Sequence, residues 1–209
     1  MGLRVHALDL LPKFAAGLHG SARREEEAGR LSIHAAFVTN VEQEGATAQW
    51  RYGGLPSKDG LDLPALRLDK LLHDEPGPVV MKMDIDGWEL EALQGAAGLL
   101  KTGRLAGLLM ELHCDFLEER NIDCWDPLSF LISYGMKIML IARWIDARDL
   151  EEDNFWVNSR ESFMATKRQL ARYDGSAHLQ VIAVGPEIWQ WYHTSVGLQA
   201  KSARPETPW

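Results

Sequence analysis

Short apolar runs alternate with helix-spaced segments along almost the whole chain, and this alternation limits the fold more than any single motif does. The segments "LRVHALDL" (3–10), "LSIHAAFV" (31–38), "PVVMKMDI" (78–85), "LAGLLMEL" (105–112), "MKIMLIARW" (136–144) and "HLQVIAVG" (178–185) read as strands. Between them, "PKFAAGLHGSARREEEAG" (12–29), "WELEALQGAAGLL" (88–100), "DPLSFLISYG" (126–135) and a polar stretch from about 158 to 173 have helical spacing. "ATAQWRY" (46–52) alternates like a half-exposed strand, and the Gly, Pro and Ser content of "GGLPSKDG" (53–60) predicts a loop. Strands alternating with helices predict an α/β fold, a three-layer sandwich around a mostly parallel sheet. Ligands of such sheets bind at the carboxyl ends of the strands, which directs attention to Asp9, Asp84, Asp86, Glu111 and His113.

A chain of 209 residues with a 46% hydrophobic share is long enough for one domain, expected over residues 1–198. The tail "QAKSARPETPW" (199–209) is expected to be disordered. With 22 Lys and Arg against 30 Asp and Glu, the net charge of -8 opposes binding to a phosphate backbone, so nucleic acid is excluded as a major partner. No apolar stretch reaches membrane-spanning length and no signal-peptide pattern opens the chain, so the expected location is cytoplasmic. Cys114 and Cys124 form no CxxC pair, which indicates neither a zinc site nor a disulfide framework and favours a reducing compartment.

The segment "VVMKMDIDGWELEALQG" (79–95) sets two aspartates at the junction of a strand and a helix. Asp86 and Glu89 have the spacing of a capping box, in which the first side chain accepts from the first-turn amides and the second reaches back. Asp84 lies too early to cap. A carboxylate at a strand end must be solvated, paired or liganded. Glu89 shares a helix face with Leu93, Ala96 and Leu100 and is expected to point inward, where it is able to cap or to line a pocket.

Two families spell a strand end in this way. "DIDG" resembles the nucleophile motif of haloacid-dehalogenase phosphatases, but Trp88 stands where a Thr or Val normally follows the glycine, and the motif does not open the domain. "LRLDKLL" (66–72), "KMDIDGWELEALQGA" (82–96) and "LMELH" (109–113) together resemble the FkbM-type family of S-adenosylmethionine-dependent methyltransferases over residues 66–113. "VHALDLLPKFAAGL" (5–18) is similar, more weakly, to that family's second strand and following turn.

The resemblance implies a Rossmann-like class I methyltransferase sandwich and O-methylation of a sugar or small-metabolite hydroxyl. It implies S-adenosylmethionine as cofactor, with Asp9 accepting from the ribose hydroxyls and Asp84 at the junction of cofactor and substrate. Asp84 and His113 are the implied catalytic residues, His113 as a base because its ordinary pKa of about 6.5 suits the task. Asp86, Glu89 and Glu111 are the implied substrate-binding residues. Asp84, Asp86 and Glu111 have the chemistry to hold Mg²⁺, but no pattern of the family supports a metal and none is expected.

One departure is large. The family's first strand and its Gly-rich turn precede the ribose acid, and no such turn stands before Asp9 in the sequence given. The first strand is therefore expected to be missing, leaving a gap about one strand spacing, 4.8 Å, to either side of an absent neighbour. The alternative function is a degenerate, non-catalytic relative that acts as a binding module. Trp144, Trp156, Trp189 and Trp191 are candidates either for an acceptor site or for covering an apolar face.

Overall fold

The computed structural model describes residues 3–9, 12–41, 64–141, 155–174 and 178–195, with short strand pieces at 47–48, 51–52, 55–56 and 61–62. The chain divides into two units, one of Met1–Asp74 with Gln94–Ala96, the other of Glu75–Leu93 with Ala97–Trp209.

In the first unit, β1 (Val5–Asp9) runs into α1 (Pro12–Ser21) and α2 (Arg23–Glu27), and the chain returns as β2 (Leu31–Ala35). Gly29 makes the turn between helix and strand at a φ of +66°, a conformation that a side chain would penalise. β1 and β2 are parallel, with Val5 opposite Leu31 and Asp9 opposite Ala35. The run expected as one strand over 31–38 breaks at Ala36, and β3 (Phe37–Val38) pairs instead with β8 (Ala65–Leu66).

Two small antiparallel pairs lie between them, β4 (Thr47–Ala48) with β7 (Leu61–Asp62), and β5 (Arg51–Tyr52) with β6 (Leu55–Pro56). β6 falls in the segment expected to be a loop. The Gly, Pro and Ser content that predicts a loop also suits the tight connection of a hairpin, and composition alone does not separate the two. α3 (Leu68–Leu71) follows β8.

The second unit holds the larger core. Its elements are β9 (Val79–Met83), α4 (Glu89–Gly95), α5 (Ala97–Lys101), β10 (Leu105–His113), α6 (Cys114–Glu119) and α7 (Asp126–Ser133). β11 (Lys137–Ile141), β12 (Trp156–Val157), α8 (Arg160–Asp174), β13 (His178–Val184) and α9 (Pro186–Ser195) complete it. The strands form one sheet in the order β12-β11-β13-β10-β9. Leu108, Met110 and Leu112 of β10 are buried, as are Ile138 and Leu140 of β11, Val181 and Ala183 of β13, and Leu99, Leu117, Leu128, Leu131 and Phe163 of the helices. This continuous apolar contact is what holds the sheet and helices together.

The sheet is mixed rather than mostly parallel. β9 and β10 are parallel, whereas β10 with β13, β13 with β11 and β11 with β12 are antiparallel. Hydrophobic period reports that a segment is a strand and says nothing of its direction, so the alternation of strands and helices did not decide this point. The tail 199–209 and Trp144 lie outside the described residues. No helix among the described residues is long and apolar enough to cross a membrane.

Candidate functional site

β9 and β10 run in the same direction, so their carboxyl ends meet. Pairing stops at Met83 opposite Met110, which leaves Asp84–Asp86 on one strand and Glu111–His113 on the other emerging side by side. A parallel register thus gathers residues that are 25 or more positions apart in sequence, at the place where α/β sheets bind ligands.

His113, the last residue of β10, is the centre of the cluster, with only 3% of its side chain exposed. Its Nδ1 lies 2.7 Å from Oε1 of Glu89, which is fully buried. Its Nε2 lies 3.5 Å from Oδ1 of Asp86, 3.8 Å from Oδ1 of Asp84 and 3.9 Å from Oε1 of Glu111. Burial is the largest single influence on this imidazole and acts to lower its pKa; the hydrogen bond and charge of Glu89, joined by Asp86 and Glu111, together outweigh it and raise the value. Asp84 is more open and also pairs with Lys82, Nζ to Oδ2 at 3.1 Å.

The turn that carries Asp86 is tight. Asp86 has a φ of +49° and Gly87 a φ of +87°. Aspartate is one of the few side chains that tolerate the left-handed region. Glycine is required at the next position on two grounds, since a Cβ on Gly87 would also sit 2.6 Å from Cβ of Phe116. This geometry corrects the capping-box expectation: helix α4 begins only at Glu89, and the Glu89 carboxylate accepts from the N–H of Gly87 at 3.0 Å. An N-cap residue needs extended backbone, which Asp86 does not have.

Three features behind the cluster were not foreseen. Phe116 stacks on the His113 ring, with centroids 5.6 Å apart. Arg120 donates to the carbonyl of Gly87 and to Glu91, and its guanidinium lies 3.7 Å from the centroid of Trp88. Cys114 and Cys124 form a disulfide, with Cα atoms 4.9 Å apart, although their spacing gave no reason to pair them. Phe116 on α6 and Arg120 at its C-cap are four positions apart, a readable signal that both face one side.

Asp9 stands at the C-terminal end of β1 in the first unit, partly buried. Of the tryptophans, Trp156 and Trp189 meet edge to face at 4.4 Å, the arrangement of packed aromatic side chains, while Trp191 is 61% exposed.

The model of the methyltransferase FkbM domain family matches residues 20–134. The chain belongs to the FkbM methyltransferase domain family. The FkbM match contains Asp84, Asp86, Glu89, Glu111 and His113, and it begins after Asp9. It decides between the two families that spell "DIDG" in favour of the methyltransferases. Among solved structures, methyltransferase FkbM from Methylobacillus flagellatus KT is similar at 20% identity and a TM-score of 0.45, over 66% of this chain and 33% of that one. The chain therefore spans about a third of the length of that FkbM protein. No curated protein matches the chain.

Proposed function

We propose that the chain belongs to an S-adenosylmethionine-dependent methyltransferase that methylates a hydroxyl of a sugar or small metabolite, with the acceptor held at the joined ends of β9 and β10. The observation that supports this is the convergence of Asp84, Asp86, Glu111 and His113 within the segment that matches the family. A Rossmann-like class I sandwich belongs to the same proposal, supported by the parallel β1–β2 and β9–β10 pairs, each joined through helices.

S-adenosylmethionine, when bound, supplies an electrophilic methyl group on a sulfonium. Asp9 suits the ribose end, because a partly exposed carboxylate at a strand end accepts two hydrogen bonds from a diol. Asp84 and His113 would hold the acceptor hydroxyl, and Nε2 of His113 would accept its one proton, leaving an oxygen nucleophile for the methyl group that the cofactor would supply. Asp86 and Glu111 line the same pocket. Glu89 lies behind His113 and positions its ring.

Calorimetry of S-adenosylmethionine on the chain, followed by transfer of labelled methyl to a panel of sugars and small alcohols, tests the proposal. Cofactor binding and transfer that falls by about 100-fold or more in Asp84→Asn would support it. No cofactor binding would leave the alternative, a non-catalytic binding module.

A further inference from the structure

We propose that Asp84, Asp86 and His113 form a binding site for a divalent first-row metal ion, with Glu111 at its rim and Glu89 behind it. The sequence alone offered a set of carboxylates and set a metal aside. The fold adds an imidazole nitrogen to that set and changes its chemistry.

Asp84, Asp86 and His113 each present one ligand atom, and these atoms lie within 4.8 Å of one another. The Nε2 to carboxylate separations of 3.5 Å and 3.8 Å are those of neighbouring ligands more than of hydrogen-bonded partners. Metal–ligand bonds of about 2.1 Å place adjacent donors about 3.0 Å apart in an octahedral shell and about 3.4 Å apart in a tetrahedral one. The three atoms outline a slightly open version of such a shell, and the exposed Asp84 has room to close it.

The buried side of the cluster has the second half of a metal site. A ligating histidine characteristically gives its other ring N–H to a carboxylate, which fixes the tautomer and aims the free nitrogen at the ion. Glu89 holds Nδ1 of His113 in this way. The other oxygen of Glu89, Oε2, is buried without a hydrogen-bond partner among the described residues. A fully buried carboxylate with one oxygen unsatisfied calls for nearby positive charge.

Charge points the same way. Asp84, Asp86, Glu89 and Glu111 surround one imidazole, and Lys82 is paired with Asp84 at the exposed edge. The half-open Asp84 and Asp86 provide an entry path from solvent. One nitrogen and two or three oxygens favour Mn²⁺ or Zn²⁺ over Mg²⁺ and Ca²⁺, which prefer oxygen alone.

The metal site shares Asp84, Asp86 and His113 with the proposed acceptor pocket, but metal binding is measured without cofactor or acceptor, so its failure and the failure of the proposed activity are read in different experiments. Mn²⁺ alone is titrated into the chelator-treated full chain and followed by paramagnetic resonance and calorimetry. One saturable site per chain is expected, weakened about 10-fold or more in Asp84→Asn and in Asp86→Asn and weakened also in Glu89→Gln, but unchanged in Asp74→Asn. Asp84 and Asp86 are solvent-accessible, so both variants are expected to keep the wild-type circular dichroism. No saturable binding to the wild-type chain overturns the inference, as does equal affinity in wild type, Asp84→Asn and Asp86→Asn.

Discussion

Oε1 of Glu89 and Nδ1 of His113 are 2.7 Å apart and both side chains are closed to water, so the imidazole is held from behind by a carboxylate that no solvent competes for. The same oxygen accepts from the N–H of Gly87, so one atom ties β10 to the Asp86–Gly87 turn. Replacing Glu89 by Ala strands both donors, and a loss of about 3 kcal/mol or more is expected. Glu89→Gln keeps an acceptor oxygen in place and should lose about 1–2 kcal/mol. Urea unfolding of the two variants measures the difference, and equal losses would show that the hydrogen bonds do not matter.

Gly87→Ala meets two penalties at once. The left-handed backbone costs about 1–2 kcal/mol for a residue with a Cβ, and the new methyl group runs into Phe116. Overpacking of this sort adds about 1–3 kcal/mol. A total near 2–4 kcal/mol is expected in denaturant unfolding, and a thermally unshifted Gly87→Ala variant would contradict the turn geometry.

How much of this region was legible beforehand differs from residue to residue. The strand before Asp84, the helix after Trp88 and the inward face of Glu89 follow from apolar period, which a single strand or helix carries in its own sequence. The gathering of His113 with Asp84 and Asp86 follows from β9 and β10 being parallel, which the alternation of strands and helices predicts for this pair. The mixed direction of the remaining strands was not legible, because β13 enters between β10 and β11 by long-range pairing that leaves no local trace. Nor does local spacing exclude a capping box, since the left-handed Asp86–Gly87 turn is packed at Gly87 against Phe116 and Arg120, some 30 positions away.

The Cys114–Cys124 bridge closes a short loop that begins at the residue after His113. Chain-entropy reasoning gives about 2–3 kcal/mol for a loop of this length. Thiol titration of the denatured, unreduced protein should find no free thiol. Adding dithiothreitol should lower the urea midpoint of the wild type and leave that of a Cys114→Ser, Cys124→Ser double variant in place.

In the first unit, Nδ1 of His6 and Nε2 of His34 are 3.2 Å apart, and the rings stack. Burial first, and the neighbouring His6 second, lower the pKa of His34. The unfolded chain therefore takes up the proton more readily. The contribution of a neutral His34 to stability is present above about pH 6.5 and is lost as the pH falls through the depressed folded value. Relative to His34→Gln, the wild type should lose stability between pH 7.5 and pH 5, as followed by urea unfolding; a pH-independent difference would rule this out.

β9 is the outermost strand of its five-stranded sheet among the described residues, with Val80 81% exposed upon it. An outermost strand leaves half of its amide and carbonyl groups without a ladder partner, a ready template for self-association. Lys82 is the exposed charge on that strand, and it therefore carries a colloidal duty beside its ion pair with Asp84. Two copies brought edge to edge would each have to bury an ammonium group, so the residue that neutralises an acid at the candidate site also helps keep the chains apart.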